Sequence, residues 1–358
     1  MRRRRRSMAK PHKYVPSVKK TPARRPIKLQ DFKVHLDLLH SDSNLRFQEE
    51  FEDIQERSPK GYSQDAATTD ANKVKNRYVN ILPYDHTRVK LTTADDDETS
   101  DFINANYIPG FSSPREYIAT QGPMTGTVDD FWRMIWEQKS GVIVMLSDLQ
   151  EKGRPKVDLY WPTEPNSPVQ YGDIVVELKS TSTLNKYTIR DFIISMESQE
   201  KRKVLQFFIP GWEDYSANLD SDDVLEFIQA VRQQARTSRG PVTVHCSAGV
   251  GRTGTFIALD FLMQYVNDND LGADVDIYNL VLNMRHNRPH MVQSEKQYIF
   301  IHDTLKVIID KKIKSMQDDN NIYMNTGDDN IYANTNPAFE PEENLYMNTD
   351  TWKPTTSL

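Results

Sequence analysis

The sequence predicts an α/β fold: a mixed, highly twisted central β-sheet flanked by helices, with an anion-binding loop at a strand-to-helix turn. Three observations carry that prediction. Short β-branched runs alternate with helix-period segments through the middle of the chain. One such run, residues 242–245, passes into a loop of small residues and then into an apolar helix. The chain has 358 residues, enough to bury a large core, and its longest apolar run, residues 141–146, is far short of the roughly 18 to 20 that cross a bilayer.

The elements follow in order. Residues 44–55 carry Leu45, Phe47, Phe51 and Ile54 at the spacing of an amphipathic helix. Residues 128–139 place Phe131, Trp132, Ile135 and Trp136 on one side of a second helix. Residues 141–146 form a short β-rich run that suits a buried strand, and residues 173–178, 186–195 and 204–209 read as further strands. Residues 223–236 read as a helix, 242–245 as a strand and 253–266 as a mostly apolar helix. Residues 276–285 and 295–311 close the folded part as helices.

Charge divides the chain into three regions. Residues 1–28 carry 12 Lys/Arg and no acid, residues 315–358 carry eight Asp/Glu and one Lys, and the overall −6 leaves −11 for the middle. The expected organisation is therefore a basic disordered arm (1–28), one folded domain (29–313) and an acidic disordered tail (314–358). Pro11, Pro16, Pro22 and Pro26 keep the arm open, and its charge draws it to an anionic membrane surface. It has no base-reading module, so no nucleic-acid partner is expected. Met1 and the five arginines after it lack the apolar stretch of a secretory signal. The tail repeats a Tyr-x-Asn pattern at Tyr323, Tyr332 and Tyr346.

Cys246 is the only cysteine, which rules out an intramolecular disulfide and a cysteine-cluster metal site and points to a reducing, cytoplasmic setting. His286 and His290 are four apart, but Pro289 breaks the helical face that a metal-binding pair needs, so no metal and no cofactor are expected.

The most informative stretch is VTVHCSAGVGRTGT, residues 242–255. A strand ends at His245, Cys246 follows, and Ser247, Ala248, Gly249, Val250 and Gly251 lead to Arg252, Thr253 and a helix. Small residues let successive N–H groups converge at a helix N-terminus, where the dipole favours an anion. The spacing from Cys246 to Arg252 lets both ends of the loop face one phosphate, with a guanidinium fork completing the ring. The same field favours a thiolate nucleophile. The Lys-[Ser/Thr] ending of a nucleotide-binding P-loop is absent.

HCSAGVGRTG resembles the signature of the protein tyrosine phosphatases over ten positions. Further resemblance runs through KNRY (75–78), DFINANYI (101–108), YIATQGP (117–123), YWP (160–162) and MVQ (291–293), about three quarters of the chain. The wording NILPYD, REYIATQGP and FIALD is closest to single-domain receptor-type members, in which a basic juxtamembrane segment precedes the domain.

The resemblance implies roles residue by residue. Cys246 attacks phosphorus, Arg252 grips phosphoryl oxygens and Thr253 hydrogen-bonds the thiol. Residues Ser247 to Arg252 cradle phosphate. Tyr78 walls the pocket, Asn80 holds the substrate backbone, and Gln293 and Gln297 position water. Glu151 and Lys156 belong to a mobile loop beside the site, and His245 and Trp212 support it. Asp214 falls on the general-acid position. There the family reads Trp-Pro-Asp and this chain reads Trp212-Glu213-Asp214, with Ser216 where a glycine is usual. Losing the proline frees the loop, so turnover is expected to be reduced and Glu213→Pro to raise kcat.

The expected partners are phosphotyrosine proteins as substrates and, at a phosphorylated tail, SH2 adaptors. Asn336-Pro337-Ala338-Phe339 weakly resembles a phosphotyrosine-binding-domain ligand. Two other readings stand beside the phosphatase. The altered acid loop suits a phosphotyrosine-binding pseudophosphatase scaffold. Altered acid loops and the basic arm also suit a phosphoinositide phosphatase, against which Tyr78 narrows the pocket mouth.

Overall fold

The computed structural model describes residues 26–93, 101–197, 199–216 and 218–325. Strands β1 (Arg88–Lys90), β2 (Phe102–Ile108), β3 (Tyr117–Thr120), β4 (Val142–Met145), β5 (Val169–Tyr171), β6 (Ile174–Thr183), β7 (Thr188–Met196), β8 (Arg202–Phe208) and β9 (Val242–His245) form one sheet. Their order is β1-β2-β3-β9-β4-β8-β7-β6-β5. The four central strands, β3, β9, β4 and β8, run parallel, and both flanks are antiparallel. This is the mixed α/β sheet that the alternating pattern predicts.

Central parallel strands must be covered on both faces, and the residues comply. In β4, Val142 and Val144 face one core cluster while Ile143 and Met145 face the other. Helix α1 (Phe32–Arg57) packs into the first cluster, and after two single-turn helices α2 (Val128–Glu137) places Phe131, Trp132 and Ile135 in the second. Helices α3 (Ser221–Ala235), α4 (Gly251–Asp268), α5 (Ile277–Asn287) and α6 (Glu295–Asn325) contribute to the first cluster. Helix α4 is buried over most of its length, which explains its apolar body.

Several boundaries differ from expectation. Strand β2 was hidden in the sequence because Asn104 and Asn106 interrupt its apolar run, yet both are buried. Helix α1 starts at Phe32 and breaks at residues 41–44, where Asp42, Ser43 and Asn44 take φ of 52°, 56° and 67°. Short polar side chains tolerate that left-handed backbone better than most. The closing helix runs to Asn325 instead of residue 311. The first stretch of the expected disordered tail, Tyr323 included, is thus helical, because neither Pro nor Gly interrupts the chain before Gly327.

The chain divides into two units, residues 1–313 and 314–358. Tyr332, Tyr346, residues 336–339 and the first 25 residues of the basic arm lie outside the described residues. Among the described residues no helix is long and apolar enough to cross a membrane.

Candidate active site

Strand β9 delivers Cys246 into a loop whose shape only small residues allow. Gly249 has φ +71°, and a Cβ there would lie 2.1 Å from the Thr120 carbonyl oxygen. The left-handed turn and the close pass over β3 both exclude a side chain. Gly249 N–H and the Thr253 hydroxyl each donate to Cys246 Sγ at 3.3 Å. The thiol is 3% exposed.

Arg252, in the first turn of α4, is 1% exposed. Its Nη1 donates to Glu151 Oε1 at 2.5 Å and to the Trp212 carbonyl at 2.6 Å. Its Nε and Nη2 have no hydrogen-bond partner among the described residues. Buried charged donors without acceptors are expensive, so this guanidinium fork is built to receive an anion. Burial alone would lower the Arg252 pKa, but Cys246, Glu151 and Asp214 outweigh it and hold it above its ordinary value.

The acid loop and the short hairpin of Gln150–Glu151 with Arg154–Pro155 close over one side. Asp214 Oδ2 accepts from Lys156 Nζ at 2.7 Å, and Asp214 Oδ1 lies 3.6 Å from Arg252 Nη2. Lys156 Nζ is also 3.9 Å from Glu151 Oε2. Burial lowers the Lys156 pKa and Asp214 and Glu151 raise it, with a net rise. Trp212, 1% exposed, donates from Nε1 to the Ser216 carbonyl at 3.3 Å and packs on Phe300. Ser294 Oγ donates to the Tyr215 carbonyl at 3.1 Å, tying the loop to the start of α6. A cavity of about 660 Å³ opens between hairpin and loop, lined by Glu151, Lys152, Arg154, Lys156 and Asp214 among others. Cys246 lies outside that lining.

Tyr78 reaches the loop from the other side, its hydroxyl 2.8 Å from Ser247 Oγ, which in turn donates to the Lys156 carbonyl at 2.9 Å. Val250 is buried, and its carbonyl accepts from Gly254 and Val292. Ala248 packs against the core. Gln297 Oε1 accepts from Gln293 N–H at 2.9 Å, and Gln297 Nε2 has no partner among the described residues. A Cβ on Gly251 would lie 3.0 Å from Gln297 Nε2 and 3.2 Å from Gln293 Oε1, so glycine leaves room for both amides at the end of the loop. Asn80 is exposed and makes no side-chain hydrogen bond among the described residues.

His245 is buried against the Tyr160 hydroxyl at 2.8 Å. Burial, with the Arg77 and Arg252 charges, pushes its pKa down to about 4. It is therefore neutral near pH 7 and supplies no cation beside the thiol.

The sequence did not single out Arg288. It is fully buried and donates to the carbonyls of Gly249 at 2.9 Å and Ala248 at 3.0 Å, and to Asn106 Oδ1 and Asn104 Oδ1 at 2.8 Å each. Burial lowers its pKa to about 10, leaving it charged. The signal was present: Asn104 and Asn106 stand two apart on one face of an otherwise apolar strand. Asn218 was missed as well. Its Oδ1 accepts from Glu213 N–H at 2.9 Å, and its Nδ2 donates to the Gly211 carbonyl at 2.8 Å. The loop expected to be freed by the missing proline is thus bracketed by a side chain.

The family model for protein-tyrosine phosphatase matches residues 72–306. The chain is 40% identical over 320 residues to Receptor-type tyrosine-protein phosphatase zeta of Rattus norvegicus, covering 84% of this chain and 14% of that protein. It is 43% identical over 293 residues to Phosphatidylinositol phosphatase PTPRQ of Homo sapiens, covering 80% of this chain and 12% of that one. The chain therefore spans a small part of the length of these relatives. A thiol under an amide loop, a buried guanidinium fork and a carboxylate-bearing loop above them are consistent with these matches, and the chain belongs to the protein-tyrosine phosphatase family.

Proposed function

We propose that the chain hydrolyses phosphotyrosine in proteins through a phosphocysteine intermediate. The observation that carries this reading is the buried Arg252 fork, whose Nε and Nη2 make no hydrogen bond among the described residues, in the same loop as the Cys246 thiol. Sγ attacks phosphorus, the bond to the tyrosine oxygen breaks, and that oxygen leaves with the electron pair and takes a proton from Asp214. Water then attacks the phosphocysteine, the S–P bond breaks with its pair returning to sulfur, and Asp214 takes the proton. Arg252 and the amides of residues 247–252 stabilise the charge, Thr253 the departing thiolate, and Gln293 and Gln297 orient the water. Tyr78 and Asn80 hold the ring and the backbone of the substrate.

Turnover is reduced relative to a Trp-Pro-Asp enzyme, since Glu213 lacks the ring that restricts φ. The decisive experiment is hydrolysis of a phosphotyrosyl peptide by the native chain and by Cys246→Ser. Turnover abolished by the substitution is expected. No turnover by the native chain would favour the pseudophosphatase scaffold.

One comparison favours a second substrate class: the 43% identity to a protein named as a phosphatidylinositol phosphatase. Parallel turnover of phosphopeptide and inositol lipid separates the two. We further read the chain as the intracellular part of a single-domain receptor-type member, with residues 1–28 at an anionic membrane surface. Tyr323, Tyr332 and Tyr346 are read as phosphorylation sites that take SH2 adaptors. Capture of adaptors by phosphorylated but not plain tail peptide is expected; equal capture by both would reject it.

A further inference from the structure

Glu213 does more than omit a proline. Its backbone N–H donates to Asn218 Oδ1 at 2.9 Å, a bond that proline, lacking the hydrogen, could not make. The same Asn218 amide donates to the Gly211 carbonyl at 2.8 Å, so one side chain spans both sides of Trp212. The exposed Glu213 carboxylate meets Lys152 Nζ at 3.2 Å, on the hairpin beside the site. Four residues further along the hairpin segment and one along the loop, the pattern recurs inside the site, where Lys156 meets Asp214 at 2.7 Å. Hairpin and acid loop are therefore joined at an exposed pair and at a half-buried one.

We propose that Asn218 and Lys152 are positioning residues that clasp the acid loop closed, replacing the stiffness that a proline at 213 would supply. The clasp rests on the reading of Asp214 as general acid, because only then does loop closure govern turnover. Asn218 carries most of it. Lys152 and Glu213 are 81% and 54% exposed on their side chains, so their attraction is weak and screened by salt. Neither residue touches the reacting atoms. Their effect falls on the fraction of complexes in which Asp214 is in place, hence on kcat more than on KM.

The test has two independent readouts. Amide exchange followed by NMR at Glu213 N–H reports the clasp whether or not the chain turns over. Asn218→Ala is expected to speed that exchange and to lower kcat by about 2-fold to 10-fold, the range of one hydrogen bond, with KM changed by less than about 2-fold. Asn218→Asp keeps the acceptor for Glu213 N–H and loses the bond to Gly211, so it should retain the Glu213 protection. On a Glu213→Pro background the Glu213 bond cannot exist, and Asn218→Ala should then cost clearly less.

Unchanged Glu213 exchange in Asn218→Ala would overturn the clasp, as would an equal kcat loss on both backgrounds. If the chain shows no turnover while Glu213 exchange is slow and speeds up in Asn218→Ala, the clasp stands and the phosphatase reading falls. For the exposed pair, Lys152→Glu should lower kcat by up to about 3-fold at low salt, and Glu213→Lys in the same chain should restore it. Failure of that exchange to restore kcat would remove Lys152 from the clasp.

Discussion

At position 249 one methyl group decides whether the cradle exists. Gly249→Ala would drive a Cβ into the Thr120 carbonyl in a backbone region that disfavours it. Loss of vanadate binding is expected, checked by calorimetry, with the rest of the fold retained in circular dichroism. Arg288 acts on the same loop from beneath. Arg288→Met strips the partner from three buried acceptors and one part-buried one and should destabilise the domain by about 3 kcal/mol or more, read from urea unfolding. Asp214→Ala should keep phosphotyrosine binding and lose turnover; equal loss of both would remove Asp214 as the acid. Cys246, Arg252 and Gly249 were legible because strand, small-residue loop and apolar helix are adjacent in sequence. Arg288 was not, because its partners lie about 40 and 180 residues away and only the folded sheet brings them together.

The acid loop and the hairpin beside it act as paired elements. The missing proline was visible in the sequence, but its consequence was only half visible. Asn218 lies five residues past Glu213, and nothing in its identity marks it as a bracket. The clasp limits what a proline can add, so Glu213→Pro should raise kcat by less than about 5-fold, measured on a phosphopeptide at saturation. A fall in kcat would show that the bond to Asn218 matters more than the ring. Strands were legible where β-branched residues run unbroken, as in β4 and β9. They were not where the core face carries asparagine, as in β2, or where the strand is only three residues long, as in β1 and β5. Helix ends were legible to a few residues, except at the start of α1, where helix precedes the break at residues 41–44, and in α6, whose polar end has helix propensity but no apolar period.

Across the whole domain, two buried histidines contribute to the loss of stability in acid. Burial holds the pKa of His245 at about 4 and that of His302 at about 3, both below the 6.5 of an exposed imidazole. Between those values the unfolded chain binds the protons, so stability is full above pH 6.5 and falls as pH drops toward 4. Each histidine contributes up to about 2 kcal/mol of that loss by pH 5. Thermal melting between pH 7 and 5 should show a falling Tm, and His302→Gln should flatten the slope. An unchanged slope would mean that His302 is not buried neutral among Phe32, Phe47 and Tyr298. The sheet, its two cores and the loop at the end of β9 all serve one claim: a thiol held beneath a phosphate cradle becomes phosphorylated during turnover. Rapid acid quench of Gln293→Ala with a phosphotyrosyl peptide, followed by mass spectrometry, tests it most directly. The account predicts one phosphoryl group on the peptide containing Cys246, the sole cysteine, and none in Cys246→Ser. Steady release of phosphate with no phosphorylated Cys246, or a phosphoryl group elsewhere in the chain, would contradict it.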